Sequence, residues 1–241
     1  GLGDVYKRHV GGRAVTKRSV GGMRVDVTGE GYYQFGEIAS GTATRTMDIE
    51  AYALHIDGGV TLPVPMQPRI GGEFNMASGD DMANTCNGDM NAESAECGST
   101  WRGFDQLTPT NHIHFGYMDR MAWKNMIHWG VNLQMRPTKN SHLDIAGHFF
   151  RLNNTKDNWY GAAQTVFVQT PNQNTLDDLG REIDVVYTQF FGAGNHVAWQ
   201  IGGGAFFAGD FITGQPITTS HYTATGVGTE TWGYTQLWIN W

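Results

Sequence analysis

Apolar and polar residues alternate with a period of two along much of the chain, the pattern of β-strands whose two faces meet different surroundings. The C-terminal stretch shows it best. Gly233, Thr235, Leu237, Ile239 and Trp241 share one face, while Trp232, Tyr234, Gln236, Trp238 and Asn240 share the other. Ile183, Val185 and Tyr187 likewise stand opposite Glu182, Asp184, Val186 and Thr188. The spacing predicts about nine strands, near 7–16, 23–34, 45–60, 67–77, 125–136, 142–152, 181–191, 195–207 and 230–241. Turn residues such as Gly192-Ala193-Gly194-Asn195 and Pro137-Thr138-Lys139-Asn140-Ser141 join neighbouring strands as hairpins. Alternation blurs around Leu54 to Ile56, which predicts a bulge there.

The connections have their own rhythm. Those at 17–22, 61–66, 137–141 and 192–194 are short, and three others, at 78–124, 153–180 and 208–229, are long. Tight turns at one end and long loops at the other describe an antiparallel transmembrane β-barrel. Alternation alone fits a soluble sandwich equally well, with the apolar face turned to a core instead of lipid. Three features favour the barrel. The apolar faces are diluted with glycine and alanine, and aromatics (Tyr33, Trp129, Phe149, Phe191, Phe207) fall near strand ends, where interfacial girdles belong. The chain also closes on Leu237, Ile239 and Trp241 at alternate positions, resembling the assembly signal of bacterial outer-membrane barrels.

Composition agrees. The 241 residues include Gly 33 and 12% aromatics but only 16% charged residues, against about 25% in an ordinary soluble domain. Disorder is excluded by the aromatics and the low charge. The net charge of -7, with no polybasic run, gives nucleic-acid binding no support. Cys86 and Cys97 sit in one polar, acidic segment, where they either close a disulfide in an oxidising compartment or remain as two thiols. Gly1 is not an initiator Met, so either a leader has been removed or the chain begins inside a longer protein.

Three stretches resemble the alginate-export family of outer-membrane barrels. The first is Gly29-Glu30-Gly31-Tyr32-Tyr33-Gln34-Phe35-Gly36. The second runs Phe104-Asp105-Gln106-Leu107-Thr108-Pro109-Thr110-Asn111-His112 and on through Phe115-Gly116-Tyr117-Met118-Asp119. The third links His148-Phe149-Phe150-Arg151-Leu152, Asp157-Asn158-Trp159-Tyr160, Gly180-Arg181-Glu182-Ile183-Asp184 and Phe207-Ala208-Gly209-Asp210-Phe211-Ile212. The resemblance covers the chain from about residue 8 onward. It implies an eighteen-stranded barrel exporting an anionic polysaccharide, of which residues 1–241 form the C-terminal half as a single domain. It also implies a place in the bacterial outer membrane, lipid around the barrel, and periplasmic export or assembly partners. A barrel that serves as scaffold in a larger outer-membrane assembly is the alternative.

On this reading the lumen-facing residues are Arg13, Arg24, Asp26, Glu30, Asp48, Glu50, Arg69, Glu73, Arg136, Asp144, His148, Glu182 and Asp184. Arg24, Arg69 and Arg136 are candidates for pairing with a polymer carboxylate, or else bridge acids on adjacent strands. Acids outnumber arginines in this set, which sits poorly with an acidic cargo. His112 and His114 would share a face if extended, but no third ligand follows at a diagnostic spacing, so neither metal nor other cofactor is expected. Asn87, Asp89, Asn91 and Glu93 do not follow the calcium-loop pattern. His142, Asp144 and His148 have no serine in a nucleophile context beside them, so no catalytic residues are assigned.

Overall fold

A computed structural model describes residues 5–39, 46–81, 100–107, 111–171, 173–192, 194–214 and 228–239. Nine strands form one antiparallel path: β1 (Val5–Val20), β2 (Met23–Ala39), β3 (Thr46–Thr61), β4 (Arg69–Ala77), β6 (Met126–Met135), β7 (Ser141–Leu152), β10 (Asp178–Phe191), β11 (Val197–Ala208) and β12 (Thr229–Ile239). Each pairs with its sequence neighbour along that path, so the sheet is a meander. The fold is all-β. A short β5 (Thr100–Trp101) runs parallel to β3, and β8 (Trp159–Tyr160) pairs with β9 (Val166–Val168) apart from the main sheet. Two single-turn helices, α1 (Asn111–His114) and α2 (Asp210–Thr213), lie in the connections.

The nine predicted strands are all present, and β1 is longer than its weak pattern indicated. The bulge at Leu54 is not there: β3 pairs without a slip from Thr46 to Thr61 against β2, and from Ala53 to Thr61 against β4. Strict alternation does continue, with Tyr52 and Ile56 exposed while Ala53 and His55 are buried. It looked blurred because an inward alanine beside an outward leucine breaks the apolar–polar contrast without breaking the geometry. Within the main sheet the register slips between Asp178 and Gly180. Gly180 has φ +129, and a β-carbon there would stand 2.3 Å from the Phe207 carbonyl, so that corner requires glycine.

The register lines up the outer face in rows. One row runs Val25, Val60, Ile70, Leu133, Ile145 and Val185 across six strands, with Arg18 of β1 at its edge. Towards the long-loop end the next rows carry Phe74, Trp129, Phe149 and Phe207, with Arg181 between the last two; towards the tight turns lie Trp199 and Phe191. An apolar belt with aromatics above and below is what lipid contact requires. Leu237 and Ile239 are exposed on this same face; Trp241 lies outside the described residues. No helix is long and apolar enough to cross a membrane among the described residues.

The other face is partly covered. The chain between β5 and β6 reaches β1 through Lys7–Asp105 and β12 through Arg120–Glu230. Laid flat, nine strands would span roughly 40 Å at about 4.8 Å per spacing. The described parts of that connection therefore cross the inner face from one edge strand to the other. Beneath it lies the main core, built on Trp159, Phe150, Phe206 and Phe211 with Phe115 and Met121 from the crossing segment.

Candidate functional site

The inner face of the wall carries the polar chemistry. Its rows read Asp26, Gly59, Gly71 and Asn132; then Thr28, Asp57, Glu73, Gly130, His148 and Glu182; then Glu30, His55, Asn75, His128 and Phe150. These are fixed by the pleat: each residue follows its strand neighbour by two, so all point the same way. Arg13, Arg24, Asp26, Glu30, Arg69, Glu73, Asp144, His148, Glu182 and Asp184 share this face.

Three of the proposed lining residues are placed differently. Asp48 and Glu50 stand on the exposed face with Tyr52, because Ile49 and Ala51 take the inward positions. Ala51 packs with Phe104 of the crossing segment, so the apolar side of this strand end is the inner one, reversing the rule that holds along the middle of the sheet. Arg136 lies just beyond β6 in a tight turn, where its backbone N–H donates to the Met66 carbonyl at 2.8 Å. Asp48, Glu50 and Arg136 leave the inner set while Asp57 joins it, so acids still outnumber arginines there.

Arg69 is not free for a solute. Its guanidinium donates to both carboxylate oxygens of Asp26 (Nη2 to Oδ2 is 2.5 Å) and to Asn132 Oδ1 at 3.0 Å. This is the wall-bracing role, a fork matched to a carboxylate. Arg13 pairs with Glu30 at 2.6 Å. Arg24 is exposed, with Gln67 Oε1 at 3.4 Å.

The three stretches that resemble the alginate-export family meet one another here. Gln34, fully buried on β2, grips the crossing segment reciprocally: its Nε2 donates to the Asp105 carbonyl at 2.5 Å and its Oε1 accepts the Asp105 N–H at 3.0 Å. Farther along, the buried carboxylates of Glu182 and Asp184 accept the N–H groups of Met118 (2.9 Å) and Tyr117 (3.2 Å). Trp159 Nε1 donates to the Arg120 carbonyl at 3.0 Å. Sequence reasoning missed Gln34; its signal was an amide between two aromatics, indistinguishable from a strand polar residue until its partner is known.

Gly116 lets the segment approach so closely. It has φ +86, and a β-carbon would lie 2.3 Å from Glu182 Oε1. Gly116→Ala should therefore lift residues 115–118 off the wall at a cost of about 1–3 kcal/mol. Limited proteolysis of the reconstituted protein is the check: cleavage within 111–121 should accelerate, and an unchanged digest would rule this anchoring out.

At the long-loop end, Asp80 and Asp157 are both buried, and the Asp80 N–H donates to Asp157 Oδ2 at 2.7 Å. Burial pushes the Asp80 carboxyl up to about 6; the Arg102 N–H pulls against this, and the Asp157 charge adds to it. Burial raises Asp157 and lowers Lys124, whose ammonium sits 4.6 Å from the Tyr160 ring centroid. The folded state thus holds the Asp80 proton more tightly than the unfolded chain. That stabilisation is complete below the unfolded value and is lost as pH rises through about 6, a shift of roughly 3 kcal/mol. Asp80→Asn should remove the penalty, so amide protection of 78–81 and 157–160 near pH 8 should exceed wild type and differ little near pH 4. A mutant that loses protection equally at both would contradict it.

The histidines sort by secondary structure. His112 and His114 fall in α1 and diverge: His112 Nδ1 meets Asp119 at 3.1 Å, whereas His114 Nδ1 meets Glu73 Oε1 at 3.3 Å. The Glu73 bond raises the His114 imidazole. His55 Nδ1 lies 3.5 Å from the same Glu73 oxygen, and His55 Nε2 lies 3.0 Å from Asp57. His55, His114 and Asn75 border a cavity of about 240 Å³ roofed by Phe104 and Phe115. Cys86, Cys97 and the Asn87–Glu93 segment lie outside the described residues.

A meandering wall with one apolar face and one charged, partly filled face is the architecture of a porin-type transporter. The alginate-export family model matches residues 3–225, and the chain belongs to that family. This places it among polysaccharide-export transporters in general, a family of porins and not of enzymes. None of the curated proteins compared with it matches.

Proposed function

We propose that this chain is the wall of a bacterial outer-membrane conduit through which polysaccharide passes by diffusion along a charged lumen. The observation that carries it is the contrast between faces: rows of Val, Ile and Leu outside, and braced charges with histidines inside. β1 and β12 each have one strand neighbour among the described residues. Further strands would complete the eighteen-stranded barrel of the family resemblance, since lipid offers no partner to an open edge. Exposed Lys17, Arg18, Arg24, Arg136 and Lys139 gather at the tight-turn end, a basic rim suited to receiving a polyanion.

The crossing segment supports a second reading, a plugged barrel acting as scaffold for a larger assembly. Planar-bilayer recordings separate the two. Conduction that rises in Gly116→Ala and is blocked in a concentration-dependent way by alginate supports the conduit. Silence in both wild type and Gly116→Ala would leave the scaffold.

A further inference from the structure

We propose that His55, Glu73 and His114 form a binding site for a divalent transition metal of the zinc class, which staples the crossing segment to the wall. The proposal stands on side-chain positions and does not depend on conduction. The three residues come from β3, β4 and α1, and each brings one ligand atom to within 4.8 Å of the others. Glu73 Oε1 is the shared vertex, 3.5 Å from His55 Nδ1 and 3.3 Å from His114 Nδ1. Four-coordinate zinc, with bonds of about 2.0–2.1 Å, sets its ligand atoms roughly 3.4 Å apart. Those two edges already have that length.

The surroundings match as well. His55 Nε2 faces Asp57 Oδ2 at 3.0 Å, so with Nδ1 as ligand the other ring nitrogen donates to a carboxylate, the usual support of a metal-bound imidazole. Asn75 Nδ2 donates to Glu73 Oε1 at 2.8 Å and holds the carboxylate. Asn75 Oδ1 lies 2.7 Å from His55 Nδ1, a hydrogen bond that gives way when Nδ1 takes the metal and the ring proton sits on Nε2. His55 and Glu73 are largely shielded (side chains 8% and 11% exposed), whereas His114 is 43% exposed and opens towards the cavity. A remaining coordination position would face that space, where a water or a carboxylate of passing solute fits. Two imidazoles and one carboxylate favour zinc, copper or nickel over calcium or magnesium, which prefer all-oxygen sites. The pair His112/His114 offered by local sequence is not the site; the partners of His114 lie some forty and sixty residues upstream, on the wall.

The test uses the full protein in detergent, stripped with chelator and titrated with zinc chloride by calorimetry. One zinc per chain is expected. His114→Gln, on an exposed turn outside the strands, should weaken binding by at least about tenfold, and Asp57→Asn by about 10–100-fold. His112→Gln should bind as wild type. With cobalt as probe, wild type should show the intense visible bands of four-coordinate cobalt and His114→Gln should not. Absence of stoichiometric zinc binding, or equal affinity in wild type and His114→Gln, overturns the site. Conduction without zinc binding would sink this proposal alone, and zinc binding without conduction would sink the conduit alone.

Discussion

Trp159→Ala should release the inner filling of the wall. Trp159 is 1% exposed, with Phe167 at 5.0 Å and Phe206 at 5.9 Å between ring centroids, and its indole N–H donates to the Arg120 carbonyl. Truncating a buried tryptophan costs about 3–5 kcal/mol, and the stranded Arg120 carbonyl adds to that. Trp159 also packs on Phe206 of β11, but the wall strands keep their ladder hydrogen bonds, so the loss falls chiefly on the crossing segment. Amide exchange over 115–125 should therefore speed up by roughly 10²–10⁴-fold while β6 and β7 stay protected. Trp129→Ala, on the outer face, is the control and should leave those amides alone. If Trp159→Ala leaves 115–125 protected as in wild type, this core does not hold the segment down.

Val131→Arg should block assembly into lipid. Val131 is 58% exposed in the row that joins Val27, Gly58, Gly72, Gly147 and Ile183, amid the apolar belt. Arginine at the bilayer midplane of a barrel costs about 2–4 kcal/mol. On a water-exposed sheet the same change would cost almost nothing, which makes the variant a direct test of what the outer face meets. Thr28→Arg is the comparison. Thr28 lies one row away on the inner face, directly opposite Asp57, and should fold into vesicles as wild type does. Equal folding yields for Val131→Arg and Thr28→Arg would remove the case for lipid contact.

Much of the wall was legible in advance because strand geometry is local. A period of two assigns Val185 and Asp184 to opposite faces whatever the rest of the chain does, and tight turns then dictate which strands pair. The errors arose where that logic meets a non-local surface. Asp48 and Glu50 obey the alternation, yet at their end of β3 the inner face is the dry one, because Phe104 lies against Ala51. Which side of a strand is apolar tells nothing of what covers it. The resemblance marked Gln34, Asp105, Gly116, Glu182 and Trp159 as members of three separate stretches; that they touch one another was visible only when the segment between β5 and β6 was seen to lie inside the wall.

Sequence by itself thus determined the nine strands, their hairpins, the family and the apolar outer belt, all consequences of side-chain direction repeating every second residue. Tertiary structure alone decided that Arg69 is spent on Asp26, that Gln34 holds the Asp105 backbone, and that His114 leaves His112 to join His55 and Glu73. The reason is range. Alternation is written into consecutive residues, whereas a contact across the inner face depends on where a distant segment lies and how closely Gly116 lets it approach the wall.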